Sequence, residues 1–99
     1  MDHHILETSL VKAAKEQVSC DLGGEAVILN LKSGEYFGLD PVGARVWSLI
    51  QELRSVKAVR DTILEEYDVE PEVCQRDLLA LLRDMADQSL IEVENEQDS

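Results

Sequence analysis

Two cysteines and two histidines supply the thiol and imidazole groups of this 99-residue chain, which could serve in nucleophilic catalysis or bind a transition metal. Cys20 and Cys74 lie far apart, and His3 and His4 stand together near the N-terminus. A structural zinc site uses four closely spaced ligands, and a nucleophilic cysteine needs a histidine partner inside the fold. The spacing therefore predicts buried free thiols and solvated histidines, and no metal site.

Acidic side chains are numerous, but they do not form a recognisable catalytic pair. Glu65, Glu66, Glu92, Glu94 and Glu96 fall on predicted polar faces or in the C-terminal tail. Acid–base catalysis requires carboxylates with separated pKa values inside a cleft, for which so short a chain has little room. The motifs of dinucleotide, phosphate, zinc-protease and serine-hydrolase sites are also missing from the sequence. We therefore expect no catalytic residue, no cofactor and no enzymatic activity.

The charge balance argues against nucleic acids and membranes as partners. Nine Lys and Arg stand against 21 Asp and Glu, so the net charge is −12, and such a surface repels phosphate. In the predicted third helix, two arginines (Arg76 and Arg83) stand among five acids: Glu70, Glu72, Asp77, Asp84 and Asp87. The sequence shows neither a signal peptide nor an apolar run of about 20 residues. It therefore predicts a soluble, cytoplasmic protein, which we expect to be a monomer.

The first half of the chain has the pattern of three short strands. Val18, Cys20 and Leu22 alternate with polar residues, which predicts a half-buried strand. Gly23-Gly24 then suits a hairpin turn, residues 26–31 are almost wholly apolar, and residues 32–34 suit a second turn before a third strand at 35–39. Two successive tight turns predict an antiparallel meander with the first and third strands at its edges.

The second half has the pattern of three helices. Asp40-Pro41, Ser55 and Glu70-Pro71 are the predicted helix starts. Their apolar stripes are Val42, Val46, Leu49, Ile50 and Leu53; Val56, Val59, Ile63 and Tyr67; and Cys74, Leu78, Leu81, Leu82 and Met85, with Leu90-Ile91 closing the fold. The prediction is an α+β fold of order βββααα, a three-stranded antiparallel sheet followed by a three-helix bundle like a winged helix-turn-helix. We expect a flexible N-terminal segment (1–14), the domain itself (15–93) and an acidic tail (94–99).

The third predicted strand has the features of a peptide-binding edge. Edge strands are usually protected by charge or proline, but Tyr36-Phe37-Gly38-Leu39 contains neither, and only Glu35 precedes it. One interpretation is that the strand is merely short, or is covered by the chain's own N-terminal segment. The other is that a peptide binds by adding a further strand beside a helix.

The stretch from Ala26 to Trp47 resembles the PqqD family, also called the RiPP recognition element, whose members bind leader peptides of ribosomally made, post-translationally modified peptides. The resemblance covers about residues 18–93, with one departure: Ser89 stands where the family often has glycine after the third helix. The matching positions are Gly34, Tyr36, Phe37, Leu39, Gly43, Ala44 and Trp47, then Tyr67-Asp68-Val69, Asp77-Leu78 and the stretch from Leu81-Leu82 to Leu90-Ile91.

The resemblance implies where a leader peptide would bind. In the family the leader pairs antiparallel with the third strand and rests against the third helix. Carried over by position, the peptide-binding residues are Glu35, Tyr36, Phe37, Gly38 and Leu39 on the strand, and Asp77, Leu78, Leu81 and Asp84 on the helix. Trp47 and Leu49 are expected in the core, because a tryptophan on an apolar helical stripe usually packs there.

The resemblance also implies a pathway. Within the family the chain looks most like the stand-alone B1 proteins of lasso-peptide clusters, whose partners are a precursor peptide and a separate leader peptidase or other peptide-modifying enzyme. One alternative is a PqqD-type chaperone that serves a radical enzyme. Another is an acidic winged-helix adaptor that joins two proteins without reading a leader.

Overall fold

Five strands and three helices are present in residues 5, 6 and 8–94, the part of the chain that this computed structural model describes. His3, His4 and the acidic tail from residue 95 onward lie outside the described residues. The elements in chain order are β1 (Leu10–Ala13), β2 (Gln17–Asp21), β3 (Ala26–Asn30), β4 (Tyr36–Leu39), α1 (Pro41–Leu53), α2 (Val56–Glu66), α3 (Pro71–Asp87) and β5 (Ile91–Glu94).

The predicted meander is confirmed as strands β2, β3 and β4, which pair antiparallel in that order. Gly23 and Gly24 have φ angles of 71° and 100° in the first turn, and Gly34 has 74° in the second. Glycine adopts such angles without the steric cost of a Cβ atom, which explains why these tight turns form. Both β2 and β4 are edge strands of this sheet.

The two faces of this sheet have very different surroundings. Cross-strand partners share a face, so Ile28 and Phe37 lie on one face with Leu39, and α1 packs against β3 and β4. We call this the inner face. The opposite, outer face carries Val18, Cys20, Val27, Leu29 and Tyr36.

The prediction of a half-buried first strand with a buried Cys20 is wrong. Val18 is 54% exposed, and Leu22 and Cys20 are exposed as well. The alternation of β2 is real, but its apolar residues lie on the outer face at the edge of the sheet, beyond the reach of the helices. A period of two shows that a strand has two different faces; it does not show which face is covered.

All three predicted helices are confirmed with their starts. The Asp40 carboxylate accepts the Gly43 N–H at 2.8 Å, and the Ser55 hydroxyl accepts the Ala58 N–H at 3.2 Å. Helix α3 begins with Pro71 and has no side-chain cap. The helices bury Val46, Trp47, Leu49, Ile50, Val56, Val59, Ile63, Cys74, Leu78, Leu82 and Met85, so Trp47 and Leu49 are core residues as expected.

A second sheet, absent from the βββααα prediction, joins the two ends of the described chain. Strands β1 and β5 pair antiparallel, from Leu10–Glu94 to Ala13–Ile91. Within the segment 1–14, residues 10–13 form β1, and Ile5 and Val11 belong to the core, with Val11 only 1% exposed. Glu94, assigned to the tail, is the last residue of β5. Sequence periodicity cannot reveal a pairing of two four-residue segments so far apart.

Helix α3 ends in a chain reversal centred on Ser89. The Leu90 N–H donates to the Met85 carbonyl at 2.9 Å, and the Ser89 N–H donates to the Ala86 carbonyl at 3.0 Å. These two bonds define a Schellman motif, which places Ser89 in the left-handed region at φ 60°. Ser89 therefore occupies a position where glycine is ordinarily found, and its Cβ atom makes that backbone conformation less favourable.

Replacing Ser89 with glycine should stabilise the fold. We expect Ser89→Gly to raise the free energy of unfolding by about 1 kcal/mol, because glycine has no left-handed penalty. Denaturant unfolding followed by the fluorescence of Trp47, the one tryptophan of the chain, measures this change. Ser48→Gly, the same substitution at an exposed position inside α1, should instead destabilise by about 0.5–1 kcal/mol. Equal effects at both sites would contradict the role of Ser89.

An ion pair joins α1 to the C-terminal turn of α2. The Glu66 carboxylate accepts from Arg45 Nε at 2.8 Å and from Nη2 at 2.6 Å. The hydrogen bond from Arg45 lowers the pKa of Glu66 below its ordinary 4.5, and the same bond raises the pKa of Arg45. Both side chains are more than a third exposed, so solvent weakens this pair.

The Arg45–Glu66 pair should make a pH-dependent contribution to stability. Because the folded pKa of Glu66 is lowered, its contribution is present above pH 4.5 and is lost as the pH falls through the folded pKa. We expect Glu66→Gln to melt below the wild-type protein at pH 7, and the difference in Tm to shrink below pH 4.5. Thermal unfolding by circular dichroism at several pH values tests this, and a difference independent of pH would contradict it.

Candidate functional site

The edge of β4 exposes unpaired backbone groups at two residues. The Asn30 N–H donates to the Glu35 carbonyl at 2.9 Å, which makes these residues a hydrogen-bonded pair. Such pairs alternate along an antiparallel ladder, so Phe37 and Leu39 also direct their backbone groups toward β3. Tyr36 and Gly38 consequently direct their N–H and C=O groups away from the sheet. This edge can accept a further strand through up to four backbone hydrogen bonds.

An apolar groove lies beside the end of β4. It has a volume of about 380 Å³ and runs between the first turns of α1, the C-terminal end of α2 and the first half of α3. Its lining residues are Asp40, Val42, Gly43, Val46, Ile63, Tyr67, Val69, Val73, Cys74, Asp77, Leu78 and Leu81. A groove of this size and composition suits one or two apolar side chains of a bound peptide.

Close packing joins β4 to the groove. Asp40 follows Leu39 directly and lines the groove, while its carboxylate caps α1. Gly43 lies so close to this junction that a Cβ atom there would be 3.1 Å from the Asp40 carboxylate and 3.2 Å from the Leu39 side chain. A side chain at this position would therefore disturb the cap. The glycine lets α1 begin directly against the last residue of β4.

Asn30 fixes the sheet relative to α3. Its side-chain Nδ2 donates to the Gln88 carbonyl at 2.7 Å, and its Oδ1 accepts the N–H groups of Lys32 and Ser33 at 2.9 and 3.2 Å. Asn30 is buried, so each of these bonds replaces a lost bond to water. The turn that leads into β4 is thereby held against the C-terminal end of α3.

The groove is built for binding through burial, with little capacity for acid–base or thiol chemistry. Burial raises the pKa of the Cys74 thiol, which keeps the thiol protonated and unreactive at neutral pH. Cys74 is buried, as the sequence predicts. Residues 5, 6 and 8–94 contain no group of three or more His, Cys, Asp and Glu arranged to hold a metal ion.

The residues predicted to bind peptide fall into distinct settings. On β4, Tyr36 is 74% exposed on the outer face, Phe37 is half-buried, Gly38 is exposed and Leu39 belongs to the core, with exposed Glu35 just before the strand. On α3, the groove lining includes Asp77, Leu78 and Leu81, of which Leu78 is also a core residue. Asp84 is exposed and lies outside the groove lining.

Sequence reasoning missed the exposed apolar residues that line the groove near the helix ends. Val42, Val69 and Val73 each line it, and each is about 40% exposed although apolar. All three lie in a first helical turn or in the loop before α3, and Val42 was assigned to a core stripe. The sequence signal that could have revealed them is the presence of large apolar residues at helix ends. The apolar stripe that packs on the core does not need apolar residues there, so their presence indicates another apolar surface.

The described N-terminal residues do not cover the β4 edge. Strand β1 pairs with β5, and its other side meets the link between α1 and α2, where the Val11 N–H donates to the Arg54 carbonyl. The alternative in which the N-terminal segment covers β4 therefore does not hold for residues 5, 6 and 8–14.

Also within the described chain, no helix is long and apolar enough to span a membrane.

Comparisons with solved structures found two chains of the same architecture. One, "TbiB1 in Complex with the TbiA(beta) Leader Peptide", is 41% identical with a TM-score of 0.78, over 82% of this chain and 94% of that one. The other, "Lasso peptide synthetase B1 complexed with the leader peptide", is 23% identical with a TM-score of 0.74, over 83% and 96%. At that identity the second chain supports the fold alone. A comparison with curated proteins found no match.

A family comparison covers the site and the elements that position it. The model of "Coenzyme PQQ synthesis protein D (PqqD)" matches residues 25–91, which include β3, β4, the three helices and every residue of the groove. The match leaves out β2 and β1. Together with the 41% identity to a chain of the same fold, this match shows that the protein belongs to the PqqD family.

Proposed function

We propose that this protein is a leader-peptide-binding module that captures a ribosomally made precursor by strand addition at β4. The observation that carries the proposal is the free backbone edge at Tyr36 and Gly38 directly beside an apolar groove. Strand addition needs both features, since backbone bonds give affinity and side-chain pockets give specificity. The 41% identical TbiB1 chain, whose structure contains a leader peptide, supports the same function.

The β4 edge and the groove together can bind a leader peptide with an affinity in the nanomolar to low micromolar range. Four backbone hydrogen bonds contribute about 0.5–1.5 kcal/mol each, and apolar area buried in the groove contributes about 25 cal/mol per Å². Ordering a disordered leader costs about 2–5 kcal/mol. We expect a dissociation constant between about 1 nM and a few μM.

The second part of the proposal is that the bound precursor is presented to a maturation enzyme, the leader peptidase of a lasso-peptide pathway. The outer face of the sheet supports this part: it is apolar across all three strands, and Val18 and Tyr36 are more than half exposed. Patches of this kind on a soluble protein mark contacts with other proteins. A leader on β4 would leave the outer face free and would lie directly beside it.

Several finer predictions complete the proposal. The protein itself is non-catalytic and acts in the cytoplasm as a monomer, and its three helices are arranged like a winged helix. It raises the local concentration of the precursor at the enzyme, as a tether between two binding partners does.

Gly38 provides a direct test of strand addition. Gly38→Pro removes an outward N–H without removing a bond to β3, so it should weaken binding of the TbiA(beta) leader peptide at least about tenfold. The matched control is Gly38→Ala, which keeps the N–H and whose Cβ atom would meet nothing within 4 Å. Isothermal titration calorimetry measures both, and circular dichroism confirms that both variants are folded. Equal affinity of the proline and alanine variants would refute pairing at this edge.

Two leucines on α3 provide a test of the groove. Leu81 lines the groove, whereas Leu79, equally half-buried, lies in a shallow depression on another face of α3. Leu81→Ala should weaken leader binding about tenfold, because it removes apolar area from the groove. Leu79→Ala should leave binding unchanged, although both variants lower the Tm. Loss of affinity in both variants to the same extent would place the peptide elsewhere.

A further inference from the structure

The charged side chains that line the groove are all acidic. Among the described residues, Asp40 and Asp77 are the only charged ones in the lining, and the others are apolar apart from the Tyr67 hydroxyl and the Cys74 thiol. The Asp40 carboxylate is held in place because it caps α1 through the Gly43 N–H. Asp77 lies in the second turn of α3 with its side chain 70% exposed.

Among the described residues, no arginine lines the groove. Arg60, whose charge acts on the groove-lining Cys74 thiol, is held by hydrogen bonds to Asp61 and Gln75. Arg45, in the second turn of α1, is held by the bidentate pair with Glu66. Arg76 approaches Asp77 at 3.6 Å, but both side chains are at least 70% exposed, and such a pair is weak in water. Arg76 also lines the shallow depression of Leu79 and takes no part in the groove lining. The mouth of the groove therefore keeps its negative charge.

We propose that the leader segment bound in this groove carries a Lys or Arg next to its apolar anchor, and that Asp77 with Asp40 recognises this cation. This proposal rests on the proposed function and adds the charge of the peptide to it. Charge complementarity identifies the occupant: the chain carries −12, so an acidic peptide or a second copy of this chain would be repelled. A neutral apolar peptide would fill the groove but would bring no cation to either carboxylate.

Recognition of a peptide cation by Asp77 and Asp40 should affect the association rate more than the dissociation rate. Charges at the rim of an interface act mainly by steering the encounter, so they change the association rate and its salt dependence more than the dissociation rate. The apolar anchor and the strand bonds, in contrast, set the dissociation rate. The cation and the groove can therefore be tested separately.

The experiment measures binding of the TbiA(beta) leader peptide to the full chain at low and high salt, with association rates from biolayer interferometry. A second peptide has every Lys and Arg of this leader replaced by Gln. For the wild-type protein we expect the original peptide to bind more weakly as salt rises, since ions screen exposed charges. The neutral peptide should bind more weakly than the original at low salt and should show little dependence on salt.

Substitutions of single acidic residues test whether the salt-dependent association depends on the groove. Asp77→Asn should slow association about two- to fivefold at low salt and reduce the salt dependence, and Asp77→Lys should slow it further. The matched control is Glu52→Gln, which removes the same charge near the C-terminal end of α1, outside the groove lining. Equal effects of Asp77→Asn and Glu52→Gln would overturn the proposal, as would binding that ignores both salt and the peptide's cations. Failure of the wild-type protein to bind either peptide would instead refute the proposed function.

Discussion

The buried side chain of Asn30 is the link on which the geometry of the site depends. Its amide nitrogen holds the Gln88 carbonyl at the end of α3, and its amide oxygen holds the turn that leads into β4. In backbone packing this sheet lies closer to α1 than to α3. Loss of any one of these bonds would leave a buried polar group unpaired, at a cost of about 1–3 kcal/mol. One asparagine therefore sets β4 at a fixed position relative to the helix beside the groove.

The same junction continues into the second sheet. Directly after Gln88, the left-handed Ser89 reverses the chain so that β5 can pair with β1. Strand β1 in turn contacts the link between α1 and α2 through Val11 and Arg54. The C-terminal ends of α1 and α3 and the N-terminal end of α2 are thus tied to this second sheet and the segment before it. The αL residue at this point is a local strain that the surrounding pairing offsets.

The surfaces of the protein divide into regions of different physical character. The β4 edge offers backbone hydrogen bonds, the groove offers apolar burial with two carboxylates at its lining, and the outer face offers an apolar sheet surface. Each region suits a different kind of contact, and the β4 edge adjoins both of the others. Peptide binding and protein docking can therefore occur side by side. Membership of the PqqD family is consistent with this division, since the matched residues include the edge and the groove.

Some features of the fold depend only on residues close together in the sequence, and these could be predicted. They are the glycine turns around β3, the caps at Asp40 and Ser55, and the helical stripe of Cys74, Leu78 and Leu82. The unprotected third strand was also recognisable, because the absence of charge and proline is visible in four residues. Tertiary structure alone decided that Val18 and Cys20 are exposed, that β1 pairs with β5, and that Val42 and Val69 line the groove. Hydrophobic periodicity records that a segment has an apolar face, whereas burial depends on which distant segment arrives to cover that face, and this is decided only when the whole chain packs.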